Sequence, residues 1–337
     1  MPVPANGRDC ARQSTLDVSI YLDIVNQQFA LYPVPAVCYQ PPEVSVKIID
    51  RIRGASRPFY SLEFFPPKER EEWPAFFRVV DKLKALDPLF ASVTYGAGGG
   101  AQDNTLEIAA RIRDAGIEPL PHLTCVGASG DRLADFLSRL ESAGMNNILA
   151  LRGDAPKGED CWDWSRGEFT CAKDLVSFVR GRFPDFGIAV AGYPGAHPES
   201  PSFRFDREHT TDKVNAGADF IVTQLFFDVR EYLDFVDRLR EMGVDKPVIP
   251  GILPIQSLES VRRVLSLCGA HIPGHYYLSL EDAHNKGGSE AVKEAGIAYA
   301  AKEIRRLIDA GAPGVHLYTL NRAETCLRLA EAVGKLD

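Results

Sequence analysis

Asn147-Ile148-Leu149-Ala150-Leu151-Arg152-Gly153-Asp154 runs a short apolar stretch straight into a charged tip. A strand covered on one face alternates apolar and polar residues, whereas a continuous apolar run marks a strand buried on both faces. The pattern recurs about eight times, at roughly 27 to 40 residues until a wider last gap. Before this stretch come Phe59–Phe65 with Glu63, Leu89–Tyr95 with Thr94, and Pro119–Cys125 with His122. After it come Gly187–Ala191 into Tyr193, Asp219–Phe227 with Gln224, Pro247–Leu253 into Gln256, and Val315–Leu320 into Arg322. Amphipathic helices separate the runs. Asp103-Asn104 is placed to cap Thr105–Ala115 and Asp131 to cap Arg132–Ala143, while Asp174–Arg182 and Val229–Met242 carry apolar residues at three-and-four spacing. Strands alternating with helices predict an α/β fold, a (β/α)8 TIM barrel, whose chemical groups gather at the C-terminal ends of several strands.

The 337 residues fit one barrel of about 250 residues plus an appendage. Residues 1–55 hold Pro33, Pro35, Pro41 and Pro42 around one apolar patch, Ile20–Tyr32, and lack the strand-helix repeat. They read as an N-terminal extension that packs on the barrel's exterior or closes its bottom, with an oligomer contact as the alternative. Residues 56–337 read as the catalytic barrel. Two stretches break the rhythm: 269–290, an insertion before a helix at Glu290–Ala310, and 155–170, a long loop of the kind that serves as a lid or binding loop.

The net charge of −8 argues against nucleic acid as the main partner, since duplex binding needs a concentrated cationic surface. No apolar stretch approaches the roughly 20 residues that cross a bilayer, and no secretory signal pattern opens the chain. The seven cysteines include no Cys-x-x-Cys pair and no zinc spacing, so no metal is expected and a reducing cytoplasm is. Gly96-Ala97-Gly98-Gly99-Gly100-Ala101 satisfies a dinucleotide fingerprint in outline. The repeat runs on through eight strands, however, and Asp114 and Glu118 sit where no ribose-binding acid belongs. These glycines read better as a barrel loop that approaches a ligand closely.

Glu63, between bulky apolar neighbours in Ser-Leu-Glu-Phe-Phe-Pro-Pro-Lys, is expected to be dry, with a pKa raised by burial as suits a general acid. Pairing with Lys68 at an exposed strand end is the alternative. Arg152 offers a cationic fork ahead of Asp154, either for a ligand or for Asp154 itself. His122 reads as a core histidine or a ligand donor, and Tyr193 and His197 lie on a proline-stiffened loop. Gln224 is an amide in a strongly apolar run. A buried amide needs partners, and the edge of a heterocycle would supply them.

At these residues the chain resembles the methylenetetrahydrofolate reductase family. The likeness runs from about residue 60 to 335. It is carried by Leu62-Glu63-Phe64-Phe65-Pro66-Pro67, Ser92-Val93-Thr94-Tyr95-Gly96-Ala97-Gly98, Pro121-His122-Leu123-Thr124-Cys125 and Ala150-Leu151-Arg152-Gly153-Asp154, then by Tyr193-Pro194 with His197-Pro198-Glu199 and Lys213-Val214 with Ala216-Gly217-Ala218. Thr223-Gln224-Leu225-Phe226-Phe227-Asp228, Pro250-Gly251-Ile252-Leu253-Pro254 and His316-Leu317-Tyr318-Thr319-Leu320-Asn321-Arg322 complete it.

The resemblance implies an oxidoreductase acting on a CH–NH bond, which reduces 5,10-methylenetetrahydrofolate to 5-methyltetrahydrofolate. NADH or NADPH would supply the hydride through N5 of a non-covalent FAD, in ping-pong order. Glu63 would protonate folate N10, and Asp154 would lie near the flavin's pyrimidine edge. Gln224, Tyr318 and Arg322 would contact substrate. Thr94, Tyr95, Ala97, His122, Leu151, Arg152, Gly153, Asp154, Ala172, Tyr193, His197, Asp206 and Lys213 would line the flavin. A homo-oligomer is implied, and no membrane or nucleic-acid partner. Cys171 stands where the family usually has tyrosine, and Gly195 replaces a larger, usually polar residue. The Trp162-Asp163-Trp164 loop is more like eukaryotic relatives, yet the chain stops after the barrel, so their regulatory domain is not expected. A metal-dependent hydrolase would predict His-x-His clusters that do not occur. A flavin-independent reductase or a non-catalytic flavin- or folate-binding barrel is the alternative, against which Glu63 and Asp154 together argue.

Overall fold

The computed structural model describes residues 46–94, 101–155 and 167–336. Eight strands close a parallel barrel in sequential order: β1 (Phe59–Phe64), β2 (Ala91–Val93), β3 (Pro119–Thr124), β4 (Asn147–Leu151), β5 (Gly187–Gly192), β6 (Phe220–Leu225), β7 (Val248–Ile252) and β8 (Gly314–Tyr318). Each falls within or one residue beyond an apolar run of the sequence. The closed ring also excludes the open, doubly wound sheet that the glycine-rich stretch resembles; Gly96–Gly100 themselves, like Tyr95, lie outside the described residues.

Helix α1 (Ile48–Gly54) precedes the barrel. Its Ile48, Ile49 and Ile52 are buried with Phe59, Phe90, Leu120, Leu149 and Phe220 in one cluster, which fills the lower barrel. Asn147 at the foot of β4 fastens this plug: its Oδ1 accepts from the Ile48 amide at 2.9 Å and its Nδ2 donates to the Val46 carbonyl at 3.1 Å. The helix lies within the stretch assigned to the extension, beside the barrel's lower core.

The outer helices are α2 (Trp73–Leu83), α3 (Ala101–Asp114), α4 (Gly130–Ser142), α5 (Ala172–Arg182), α6 (Phe203–Asn215) and α7 (Val229–Glu241), then α8 (Leu258–Cys268), α9 (Gly274–Asp309) and α10 (Ala323–Val333). Their apolar stripes pack on the strands. In α2 these are Trp73, Phe76, Val80 and Leu83, and in α7 Val229, Tyr232, Phe235 and Leu239. Two caps differ from the sequence expectation. Ser129, not Asp131, accepts from the Arg132 amide to start α4, and Asp103-Asn104 falls inside α3, which begins at Ala101. The insertion is also more regular than its composition suggests. Much of 269–290 is helical, because α9 starts at Gly274 and breaks only at Gly287-Gly288. Tyr276, on the first limb of α9, stacks on Tyr299 of the second at 3.5 Å between ring centroids and joins an apolar cluster with Leu253, Ile255, Val261 and Leu280. A polar-looking insertion thus carries its own small core.

Candidate active site

Register across β8, β1 and β2 builds the centre of the site. Glu63 lies beside Ser92 on one side and Tyr318 on the other, and Ser61, one pleat below, lies beside His316. Side chains two residues apart on a strand share a face, so Ser61 and Glu63 belong to the same face. Glu63 is 6% exposed, while Ser61, Ser92 and His316 are fully buried. Ser92 Oγ donates to Glu63 Oε2 at 3.2 Å, and His122 Nε2 and His316 Nε2 approach that oxygen at 3.4 and 3.8 Å. Phe90 stacks on the His316 ring from below, 5.8 Å between centroids and 18° from parallel.

Burial alone pushes the Glu63 pKa up, but the two imidazoles outweigh it and hold the carboxyl at about 2, against an ordinary 4.5. This corrects the expectation of a raised value. Dryness was read rightly from Leu62 and Phe64. The imidazole neighbours come from strands 59 and 253 residues away in the chain, which no local reading of β1 could supply. Glu63 also makes no ion pair with Lys68; among the described residues its charged partners are His122 and His316.

The mouth around Glu63 is stiff. Thr319 Oγ1 donates to the Glu63 carbonyl at 2.6 Å, and Asn321 Oδ1 accepts from the Phe65 amide at 3.1 Å, tying the exits of β1 and β8 together. Leu320 and Asn321 both adopt left-handed backbone, φ 46° and 57°, at this crossing. On β6, the register slips between Val222 and Leu225, and Gln224 Oε1 accepts from the Leu225 amide at 2.9 Å. Its Nε2 has no hydrogen-bond acceptor among the described residues.

A second group of polar side chains gathers at the tips of β3 to β5 and on α6. Gly153 turns the β4 exit at φ +89°, with Val126 and Thr124 packed where a Cβ would sit. Beside it, Arg152 grips both oxygens of Glu199 at 2.8 and 3.2 Å. Asp154 is exposed, Leu151 half-buried and Ala172 buried at the start of α5. Tyr193 and His197 meet edge to face at 4.8 Å. His197 Nδ1 accepts from the Glu199 amide at 3.1 Å, which puts the neutral ring's hydrogen on Nε2; burial lowers the His197 pKa in keeping with that. Lys213 is buried, donates to the Ala191 carbonyl at 2.6 Å, and is pushed down by burial to about 8, with Asp206 opposing the shift. Asp206 is itself raised by burial, and its Oδ1 accepts from the His197 amide at 3.4 Å. Thr94 is half-buried at the end of β2, its amide on the Phe64 carbonyl at 3.0 Å. Tyr95 and Ala97, assigned to the same group, lie outside the described residues, as do 156–166 of the long loop with its tryptophans.

Asp206 Oδ2 is buried without a hydrogen-bond partner. Such an atom is costly to leave unmatched, and together with the Arg152 fork and the Lys213 ammonium it fits the mixed donor and acceptor edges of a dinucleotide. The seventh strand tip, Gln256, and Arg322 line an open groove of about 690 Å³ beside the exits of β7 and β8, shared with Arg78, Lys82 and Lys293. Sequence reading gave His316, Ser61 and Ser92 no chemical role. The available signal was Ser61-x-Glu63, two polar groups on one face of an otherwise apolar strand.

A closed parallel barrel with a buried acid-imidazole cluster at its mouth, and a second group of polar side chains beside it, has the layout of a (β/α)8 barrel with a candidate active site at the strand ends. Residues 47–334 match the family described as Methylenetetrahydrofolate reductase, and the chain belongs to that family. It is 37% identical over 306 residues to Methylenetetrahydrofolate reductase (NADH) 1 of Arabidopsis thaliana, covering 87% of this chain and 51% of that one. It is 37% identical over 278 residues to the 5,10-methylenetetrahydrofolate reductase of Escherichia coli, covering 81% and 90%. A probable NADPH-dependent reductase of Caenorhabditis elegans is 36% identical over 297 residues, covering 85% and 44%. The chain thus spans about half the length of the eukaryotic relatives and most of the bacterial one. Among solved structures, a Clostridium thermocellum protein described as binding two copies of 5-methyl-5,6,7,8-tetrahydrofolic acid shares the fold, with a TM-score of 0.57, 14% identity, and coverage of 85% and 97%.

Proposed function

We propose that this chain reduces 5,10-methylenetetrahydrofolate to 5-methyltetrahydrofolate with hydride from NADH or NADPH, using a non-covalently held FAD. The observation that carries the reading is Glu63, a buried carboxyl at the barrel mouth tied to Ser92 and two imidazoles. A bound flavin would supply a two-electron acceptor and donor, separating the nicotinamide and folate half-reactions in time.

The residues have distinct work. Arg152 and Lys213 are suited to the cofactor's anionic pyrophosphate, and Asp206, His122 and His197 to its polar edges. Thr94, Leu151, Gly153, Ala172 and Tyr193 complete the wall. Asp154 adds a negative charge that favours a cationic folate. Glu63 delivers a proton to N10 of the folate, which lets the five-membered ring open to a 5-iminium cation able to accept hydride. Gln224 presents an amide to the pterin edge, and Tyr318 and Arg322 hold the remainder of the substrate.

Glu63→Gln should keep reduction of the bound cofactor by NAD(P)H and lose its reoxidation by methylenetetrahydrofolate in stopped-flow assays. Survival of both half-reactions would sink the acid role. The purified protein should be yellow with a releasable flavin. A colourless protein that takes up no added FAD would favour the flavin-independent alternative.

A further inference from the structure

Around Glu63 the hydrogens can be counted. Ser61 Oγ lies 3.3 Å from the Val315 carbonyl, which only accepts, and we place the hydroxyl hydrogen of Ser61 there. His316 Nδ1, 2.9 Å from the same Oγ, must then carry a hydrogen and donate it to Ser61. On the ring's other side, Ser92 Oγ is 3.2 Å from Glu63 Oε2 and 3.3 Å from His316 Nε2, and it has one hydrogen for the two of them. If that hydrogen points to the carboxylate, Nε2 must hold its own and donate to Ser92. If it points to a bare Nε2, Glu63 loses both the Ser92 donor and the imidazolium beyond it, which favours a proton on the buried carboxyl itself. The two arrangements hold the same number of protons.

We propose that His316 stores the proton that Glu63 delivers, that Ser92 carries it between them, and that Ser61 fixes the ring tautomer which makes the transfer possible. The step balances without any further reactant. The His316 Nε2–H bond breaks as a new Ser92 Oγ–H bond forms, and the former Ser92 hydrogen moves to Glu63 Oε2. Imidazolium and carboxylate become imidazole and carboxylic acid, and Glu63 then protonates N10. A resting Glu63 can in this way be ionised and still act as an acid. His316 reaches no substrate in this scheme; it is a positioning and relay residue. The inference rests on the reading of Glu63 as the folate acid.

Other groups face Glu63 as well. Tyr318 on β8 and Cys268 at the end of α8 both have pKa values raised by burial, so they stay neutral and neither counters the carboxylate. His122 on β3 approaches the acid directly, its Nε2 3.4 Å from Oε2, and helps to lower the Glu63 pKa, but no hydroxyl bridges the two to carry a proton between them.

Infrared difference spectra of the protein without added cofactor give the first readout, with the carboxyl band assigned by its loss in Glu63→Gln. At about pH 5, wild type should show no protonated Glu63 band and His316→Gln should show one, because burial is then less opposed. Absence of the band in folded His316→Gln would overturn the proposal and leave His122 as the partner. Ser92→Ala, which removes one atom and should fold, gives the second. Its folate half-reaction, taken relative to the NAD(P)H half-reaction of the same protein, should fall about fivefold or more, with Ser92→Thr restoring it. A smaller fall would overturn the relay. If wild type itself reduces no folate, the functional reading fails while the infrared result still decides the proton's path.

Discussion

The Tyr318 hydroxyl reaches from β8 across the barrel mouth to the Thr223 carbonyl on β6, 2.9 Å away, and its ring passes directly over Gly251 of β7. A Cβ at Gly251 would stand 2.6 Å from the ring and would also strike the Thr223 carbonyl oxygen. One of these obstacles is backbone and cannot swing aside. Gly251→Ala should therefore destabilise the fold by about 2 to 3 kcal/mol through overpacking, read as a lower urea midpoint. Gly251→Ala with Tyr318→Leu, which removes the ring, should recover little, because the carbonyl clash stays; full recovery would show that the ring alone demands the glycine.

Lys213 makes stability rise with alkali. Its folded pKa of about 8 lies below the ordinary 10.5, so the fold penalises the charged form. The unfolded chain binds the extra proton between those values, and stability without cofactor should climb by on the order of 3 kcal/mol across that window. Lys213→Met should flatten the climb and, on the proposed function, weaken FAD binding. A slope unchanged in the variant would mean that another group produces it.

On the acid side Glu63 works with the opposite sign. A carboxyl held at about 2 in the fold and near 4.5 unfolded contributes stability that is complete above pH 4.5 and drains away as pH falls toward 2. Glu63→Gln should thus show a shallower loss of stability with acid than wild type in denaturant titrations at successive pH values. Equal slopes would count against an ionised resting state.

Glu199 competes for the Arg152 fork. With side-chain exposures of 26% and 57%, the pair contributes at most about 1 kcal/mol to stability. Glu199→Gln should leave the melting temperature nearly unchanged and, on the proposed function, tighten FAD binding about threefold or more, by removing a carboxylate that competes with the pyrophosphate for the guanidinium. Weaker binding in the variant would show that Glu199 orients Arg152 rather than occupying it.

The barrel was legible because its strands are parallel and covered on both sides, so each announces itself as an unbroken apolar run such as Ile148–Leu151. Helix starts were less so. Ser129 caps α4 through its own φ and ψ, which the neighbouring Asp131 disguised. The insertion at 269–290 hid its regularity because its apolar positions, Tyr276 and Leu280, are answered by Leu253 from another element and by Tyr299 beyond the Gly287-Gly288 break of the same helix. At the site, strand tips could be read one by one, which is how Glu63, Asp154 and Gln224 were singled out. What a linear text omits is who stands beside whom around a ring. His316 and Ser92 flank Glu63 only because β1 pairs with both β8 and β2, and His122 reaches it from β3 as well; the two imidazoles reversed the expected direction of the acid's titration.

The isoleucines of α1, latched by Asn147, join the packed side chains of the lower barrel, so among the described residues the strand ends are the barrel's accessible face. One door imposes a traffic rule. On the proposed function, the pyridine nucleotide and the folate come and go by that same face, so the slower departure sets a ceiling on turnover. Protons lost from Ser61 and His316 must also leave past Glu63, which makes these hydrogens some of the slowest in the molecule to trade with deuterated solvent.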